Sequence, residues 1–391
     1  MGGVFWTAQS DRPALKAFYR FVPVLLLCYF LPAAYNTAGL IDGQQSQLYY
    51  VSSRFLLPAT LALLTLSTDI PAILRLGPKA LVLFLTGTIS VILGGPLAIL
   101  IVRAVSPDTV SGDVWRGLTS VAGSWIGGGA NQAAMRDIFE IPADLFGIMV
   151  AVDIVVAGGW MALMLWIAAN AERLDAASGA DTSALVALRD RVAQLEREHT
   201  RIPTLADLMV ITGVGLGVAG VSHAIGIPLA DWITRTAPDL ERYSLTSPFF
   251  WIVLIATTLG LAGSFTPMRR LEGAGASKVG QVLLYVLIAS IGMQMNLRAV
   301  FSHPGLFVVG AVWLAIHGVS MLVVARLIRA PMFYLAIGSE ANIGGAASAP
   351  VIASAFHPSL APVGVLLAVL GYVLGTYGAW LSGQLMRAVS P

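Results

Sequence analysis

Apolar runs of roughly twenty residues, separated by short polar connections, recur along almost the whole chain and constrain it more than any other feature. A run of that length, wound as a helix, crosses about 30 Å of hydrocarbon. Candidate spans cover 17–34, 49–68, 79–104, 114–139, 143–170, 205–226, 248–264, 278–293, 305–329, 331–356 and 360–386. They are continuous rather than alternating, which argues against a barrel. Within lipid every backbone N–H and C=O needs an internal partner, and that leaves helices. The expected fold class is an all-α polytopic membrane protein.

Composition narrows the function classes. Only 11% of the 391 residues are charged, under half the share in soluble domains. The 23 basic and 21 acidic residues are too balanced to suggest a nucleic-acid partner. Cys28 is the only cysteine, so no disulfide forms within the chain. The stretch Met1 to Ser10 lacks the basic start and apolar core of a cleavable signal peptide, and Met1 to Trp6 looks like the tail of an apolar helix. No phosphate-binding loop and no zinc signature is present. Ser124 has no histidine in its half of the chain before His199 to activate it, so an enzyme is not expected.

One segment faces water. Leu185, Leu188, Val192 and Leu195 recur at helical spacing among charged neighbours between Glu172 and Arg201. The pattern predicts a short amphipathic helix, either a linker or a small dimerising coiled coil. It divides the chain into a first membrane half, 1–170, the connection 171–204, and a second membrane half, 205–391. Basic residues at the span ends select no orientation by the positive-inside rule.

The chain also resembles itself. A shift of 217 positions superposes Ile126 on Ile343, Gly127 on Gly344, Gly128 on Gly345, Ala130 on Ala347 and Phe139 on Phe356. It then superposes Gly147 on Gly364, Ala151 on Ala368, Val152 on Val369 and Val156 on Val373, without a gap. Composition bias is the rival explanation; a duplicated helical unit accounts better for matches this close together, and paired repeats build many secondary transporters.

Each matched core is a poor helix. Gly127-Gly128-Gly129 in one copy, and Gly344-Gly345 followed by Pro350 in the other, lie near the middle of an apolar span. A glycine costs about 1 kcal/mol against alanine in a helix, and proline removes a backbone bond. An interrupted helix leaves N–H groups bare at one new end and C=O groups at the other. Lipid offers them nothing, so an ion, a solute or water must. The N–H ends attract anions, whereas carbonyls and carboxamides suit a hard cation. Ser124, Asn131, Gln132, Ser339, Asn342 and Ser348 supply polar groups at these points, and Gly128, Gly129, Gly344 and Gly345 join Ser339 and Ser348 as candidate solute contacts. Close packing of small residues between helices is the plainer alternative.

Ionisable groups inside spans add to the pattern, because each is costly in a bilayer. Glu340 is a candidate for holding a cation or carrying a proton. Asp153 has Leu370 as its counterpart in the shifted copy; it is either a coupling residue or a bonding partner for backbone at a helix break. His317 is a proton-handling candidate, with a packing role as the alternative, and Asp69 reads as an interfacial cap.

Gly123-Ser124-Trp125 through Gln132, Gly338-Ser339-Glu340-Ala341-Asn342-Ile343-Gly344-Gly345, and Val363-Gly364-Val365-Leu366 to Gly375-Thr376-Tyr377-Gly378 resemble the YjcL-like family of uncharacterised membrane proteins. That family is grouped with the cation:proton antiporter and anion transporter superfamily, which includes bile-acid sodium symporters. The resemblance implies inverted repeats, a core and a panel domain, two discontinuous helices crossing at mid-membrane, elevator-type motion and a dimer. It also implies sodium binding by Ser124, Asn131, Gln132, Glu340 and Asn342, with solute held between core and panel. Two departures stand out. The family usually starts with one more helix, and the span count here leaves the matched units parallel rather than inverted, a disagreement that falls on region 205–264.

The resulting expectation is a secondary active transporter of a bacterial inner membrane. It would couple sodium, rather than proton, to symport of a small organic anion, with no cofactor besides the ion. A gradient-free facilitator and a non-transporting scaffold or receptor are the alternatives.

Overall fold

A computed structural model describes residues 1–43, 45–181, 202–300, 303–357 and 360–391. The amphipathic segment from Leu185 to Leu195 lies outside them. The described residues form helices joined by turns: α1 Gly2–Ala8, α2 Pro13–Phe21, α3 Val24–Thr37, α4 Leu48–Leu66, α5 Pro78–Val105, α6 Val114–Ile138, α7 Ala143–Ala169 and α8 Ala171–Ser178. After the gap come α9 Leu205–Thr236, α10 Pro248–Ser264, α11 Ala276–Gly292, α12 Gly305–Leu327, α13 Met332–Ile343, α14 Gly345–Phe356 and α15 Ala361–Val389.

Six of these, α4, α5, α7, α9, α12 and α15, are long and apolar enough to cross a membrane unaided. The expected span 248–264 coincides with α10, and 205–226 continues through Pro228 to Thr236. The run 17–34 differs. It is two helices, Pro13–Tyr19 and Val24–Thr37, meeting at 89°, because Pro23 has no N–H to continue the ladder and sits in an extended conformation. Hydropathy averages over that corner and misses it.

Local chemistry starts several helices. Thr204 and Asp207 form a reciprocal capping box on α9, and Ser247 caps α10 by accepting from Phe250 N. Asp69 caps the short helix Ile70–Arg75, its side chain accepting from Ala72 N at 3.0 Å.

The helices pack as two groups. Helices α4, α9, α10 and α11 pair with one another, and α3 lies on α11. Helices α5, α6, α7 and α12 to α15 form the other group, in which the most extensive pairing runs between α6 and α15. Each half of the sequence contributes to both groups. The outer side of α9 shows Leu208, Met209, Val210, Val221 and Ile225, an apolar surface suited to lipid. At the polar edge, Asp175 of α8 accepts from Met332 N at 2.7 Å and so holds the first turn of α13. Burial pushes the Asp175 carboxyl above the ordinary carboxylate range, and the Met332 N–H pulls the other way.

Candidate functional site

Both glycine-rich cores interrupt their helices. In α6 the break falls at Gly127 (φ −137°, ψ 15°) and Gly128 (φ 72°, ψ −172°). In the other copy α13 ends at Ile343 and α14 begins at Gly345, whose φ is 60°. Gly128 and Gly345, both at positive φ, are the residues that coincide under the 217-residue shift. That conformation carries little penalty for glycine and about 1–2 kcal/mol for a residue with a Cβ.

Each break is fastened to a neighbouring continuous helix by an asparagine. Asn131 Nδ2 donates to Gly127 O at 2.9 Å and to Tyr372 O of α15 at 3.4 Å, while its Oδ1 accepts from Thr376 at 2.7 Å. Asn342 Nδ2 donates to Gly338 O at 2.9 Å and to Phe84 O of α5 at 3.0 Å, and its Oδ1 accepts from Thr88 at 2.8 Å. The two clamps have the same parts: an amide reaching back one turn and across to a second backbone, closed by a threonine one turn along that second helix. Glycines let the backbones come this close. A Cβ on Gly375 would sit 2.7 Å from Gly127 Cα, and one on Gly338 would sit 3.0 Å from Phe84 N.

A carboxylate spans the first break. Asp153 of α7 accepts from Ser124 Oγ at 2.6 Å, Trp125 Nε1 at 2.7 Å and Gln132 Nε2 at 3.0 Å. Ser124 and Trp125 precede the break and Gln132 follows it, so one buried side chain staples both sides. Gln132 Oε1 in turn accepts from Tyr29 at 3.4 Å. The structure thus brings Asp153 together with Ser124 and Gln132, and adds Trp125, which residue type alone did not single out. Gly128 and Gly129 are half-buried, facing Tyr372 of α15 and Leu284 of α11.

The second break is left open in its polar groups. Glu340, 1% exposed, has Oε2 without a partner, and so does Ser348 Oγ. The two flank Gly344 in sequence and converge on one side of it: a Cβ placed there would crowd Ser348 Oγ and Glu340 Oε1 alike. Ser339 belongs to a separate relay. Trp160 Nε1 donates to Ser339 Oγ at 2.8 Å, His317 Nε2 lies 2.8 Å from the same oxygen, and His317 Nδ1 lies 2.7 Å from Ser90 Oγ. Ser90 donates onward to Gly87 O at 2.7 Å. With that proton committed, Ser90 can only accept from the ring, which assigns the imidazole proton to Nδ1 and lets Nε2 accept from Ser339. Every member is then satisfied with a neutral histidine.

Thr88, Thr376, Trp125, Trp160 and Ser90 were invisible as site residues in the sequence. Thr376 does fall in the Gly375-Thr376-Tyr377-Gly378 motif, although a threonine there reads equally well as an ordinary helix residue bonding its own backbone. Among the described residues, no three His, Cys, Asp or Glu side chains assemble as a metal centre would require.

The fold and these interrupted helices define a multi-helix membrane protein. A family described as a protein of unknown function, DUF819, matches residues 1–389, and the chain belongs to that family. The uncharacterized membrane protein YjcL of Bacillus subtilis (strain 168) is 24% identical over 371 residues, covering 87% of this chain and 85% of that protein.

Proposed function

We propose that this chain is a secondary active transporter in which a coupling cation, sodium in preference to a proton, sits at the second break and drives symport of a small organic anion. One observation carries the reading: Glu340 Oε2 and Ser348 Oγ are buried without hydrogen-bond partners and converge on one side of Gly344. A carboxylate and a hydroxyl beside an interrupted helix offer hard oxygen ligands to a cation that lipid cannot solvate. Asn131, Asn342 and Asp153 already have hydrogen-bond partners, so in this conformation their part is to hold the breaks in place. Gln132 and Ser124 serve Asp153.

Alternating access in this reading is an elevator motion of the α5–α7 and α12–α15 group against the α4, α9, α10 and α11 group. The repeat, a cell-membrane location and a homodimer belong to the same proposal. Neither an enzymatic step nor an organic cofactor is part of it.

Uptake into proteoliposomes, screened over a library of organic anions with and without an inward sodium gradient, tests the proposal. The expected result is at least one solute whose uptake needs the gradient, with that dependence lost in Glu340→Gln. Sodium is also expected to raise the melting temperature of the purified wild type over choline, and not that of Glu340→Gln. Gradient-independent flux that survives Glu340→Gln would point to a facilitator and overturn the coupling.

A further inference from the structure

A cavity of about 620 Å³ lies away from both breaks, between the last turn of α6 and the helices α4, α9 and α10. It therefore opens between the two helix groups, and its size is that of a pocket for a small organic molecule. Its wall contains Arg136, only 6% exposed, whose Nη1 has no partner. The rest of that guanidinium is held firmly. Nη2 donates to Gln294 Oε1 at 2.5 Å, and the plane lies over the rings of Tyr49 at 4.2 Å and Phe146 at 5.5 Å.

A second cation completes the wall. Arg54 stands on a π-helical turn, Ser52–Leu56, near the start of α4, and its guanidinium stacks over Phe249 at 4.7 Å. Such turns shift one side chain out of the helical register and are frequent at binding sites. Among the described residues neither guanidinium has a carboxylate at salt-bridge distance, although both lie in electrostatic reach of Asp137 in the same wall.

Two acids also line the cavity, and they set the charge of what can bind. Asp137 accepts from Tyr49 Oη at 2.6 Å. Glu140 is exposed and sits at φ 51°, a strained value for a residue with a Cβ. A dianion would meet these carboxylates, whereas a single carboxylate can reach Arg136 and Arg54 while its body rests on Phe249, Ile227 and Ile252. A buried guanidinium with an idle donor is the costly half of an ion pair, and its planar N–H groups match a carboxylate in shape.

We propose that this cavity is the binding site for the transported solute, a monocarboxylate with an apolar or aromatic body, anchored on the Arg136 guanidinium with Arg54 as the second cation. The proposal rests on the transporter reading for its purpose but not for its chemistry, so binding is tested without any gradient or flux. Melting temperatures of the detergent-purified full chain would be measured against rising phenylacetate, its neutral analogue phenylacetamide, and succinate. Phenylacetate alone is expected to give a saturable rise. Its apparent Kd should weaken by about tenfold or more in Arg136→Gln and less in Arg54→Gln. A rise of equal size with phenylacetamide, no rise with phenylacetate, or an unchanged Kd in both variants overturns the site. If Arg136→Gln does not purify as a single species, Arg54→Gln with the phenylacetamide comparison decides. Binding without flux in proteoliposomes would defeat the transporter reading alone, and coupled flux of solutes that leave Arg136→Gln unaffected would defeat this inference alone.

Discussion

The two breaks share a backbone device and differ in how completely their polar groups are satisfied. Around Gly127 and Gly128 every candidate side chain has a partner: Asp153 draws in Ser124, Trp125 and Gln132, and Asn131 is closed by Thr376. Around Gly344 and Gly345 the asparagine clamp is equally closed by Thr88, yet Glu340 and Ser348 keep an oxygen each without company. Nothing at the first break corresponds to that gap, because Asp153 approaches from a different helix and bridges the break from outside. A matched pair of interruptions need not be a matched pair of sites. One break has its polar side chains fully partnered and the other does not.

The largest effect should come from taking away the brace. Asp153→Ala strands three buried donors, a loss of about 3–5 kcal/mol for a buried hydrogen-bonded charge. The expected outcome is a fall in melting temperature large enough to lose monodisperse protein on size exclusion. An Asp153→Ala protein as heat-stable as the wild type would show that the first break stands without its staple.

Next is a contrast in space. A Cβ on Gly375 meets Asn131 Nδ2 at 2.5 Å and Gly127 Cα at 2.7 Å, whereas a Cβ on Gly345 meets nothing within 4 Å. Gly375→Ala should cost about 1–3 kcal/mol through overpacking. Gly345→Ala should cost about 1–2 kcal/mol through its positive φ alone, with no loss of partners elsewhere. Thermal unfolding of the two variants, each also measured with sodium, separates them: Gly375→Ala leaves Glu340 and Ser348 in place and should keep the sodium-dependent shift, whereas Gly345→Ala, at the second break, should weaken it. If Gly375→Ala proves the milder of the two, the first break is not the tighter one.

The smallest effect is the most exacting. Double-mutant cycles on Asn131 with Thr376, and on Asn342 with Thr88, should give coupling energies of about 1 kcal/mol, alike at both breaks. Unequal couplings would show that the likeness of the two clamps is geometric only.

How much of this could be read beforehand varied with the range of the interaction. The interruptions were legible because helix propensity is local: three adjacent glycines, or two with a proline six residues on, announce weakness wherever they stand. Glu340 stood out for the same reason, being a carboxylate in a run of small and apolar residues. In the sequence Asp153 reads either as a coupling residue or as a partner for backbone at a break. What it accepts is side-chain donors from both sides of that break, a detail fixed by the packing of α7 on α6. Thr88 and Thr376 could not be found, since a threonine facing a neighbour and one bonding its own helix have the same sequence signature. The cavity holding Arg54 and Arg136 was equally hidden. It is assembled from four helices remote in the chain, and a π-helical turn has no composition of its own.

The hydrogen bond from Met332 N to Asp175 fastens the outset of α13 to the short polar helix α8. From Met332 to Glu340 is about 12 Å along the helix axis, and a helix is stiff in that direction. A tug on the peripheral segment is therefore passed to the Glu340 carboxylate with little slack. A short polar helix thereby holds a handle on a carboxylate buried at the second break.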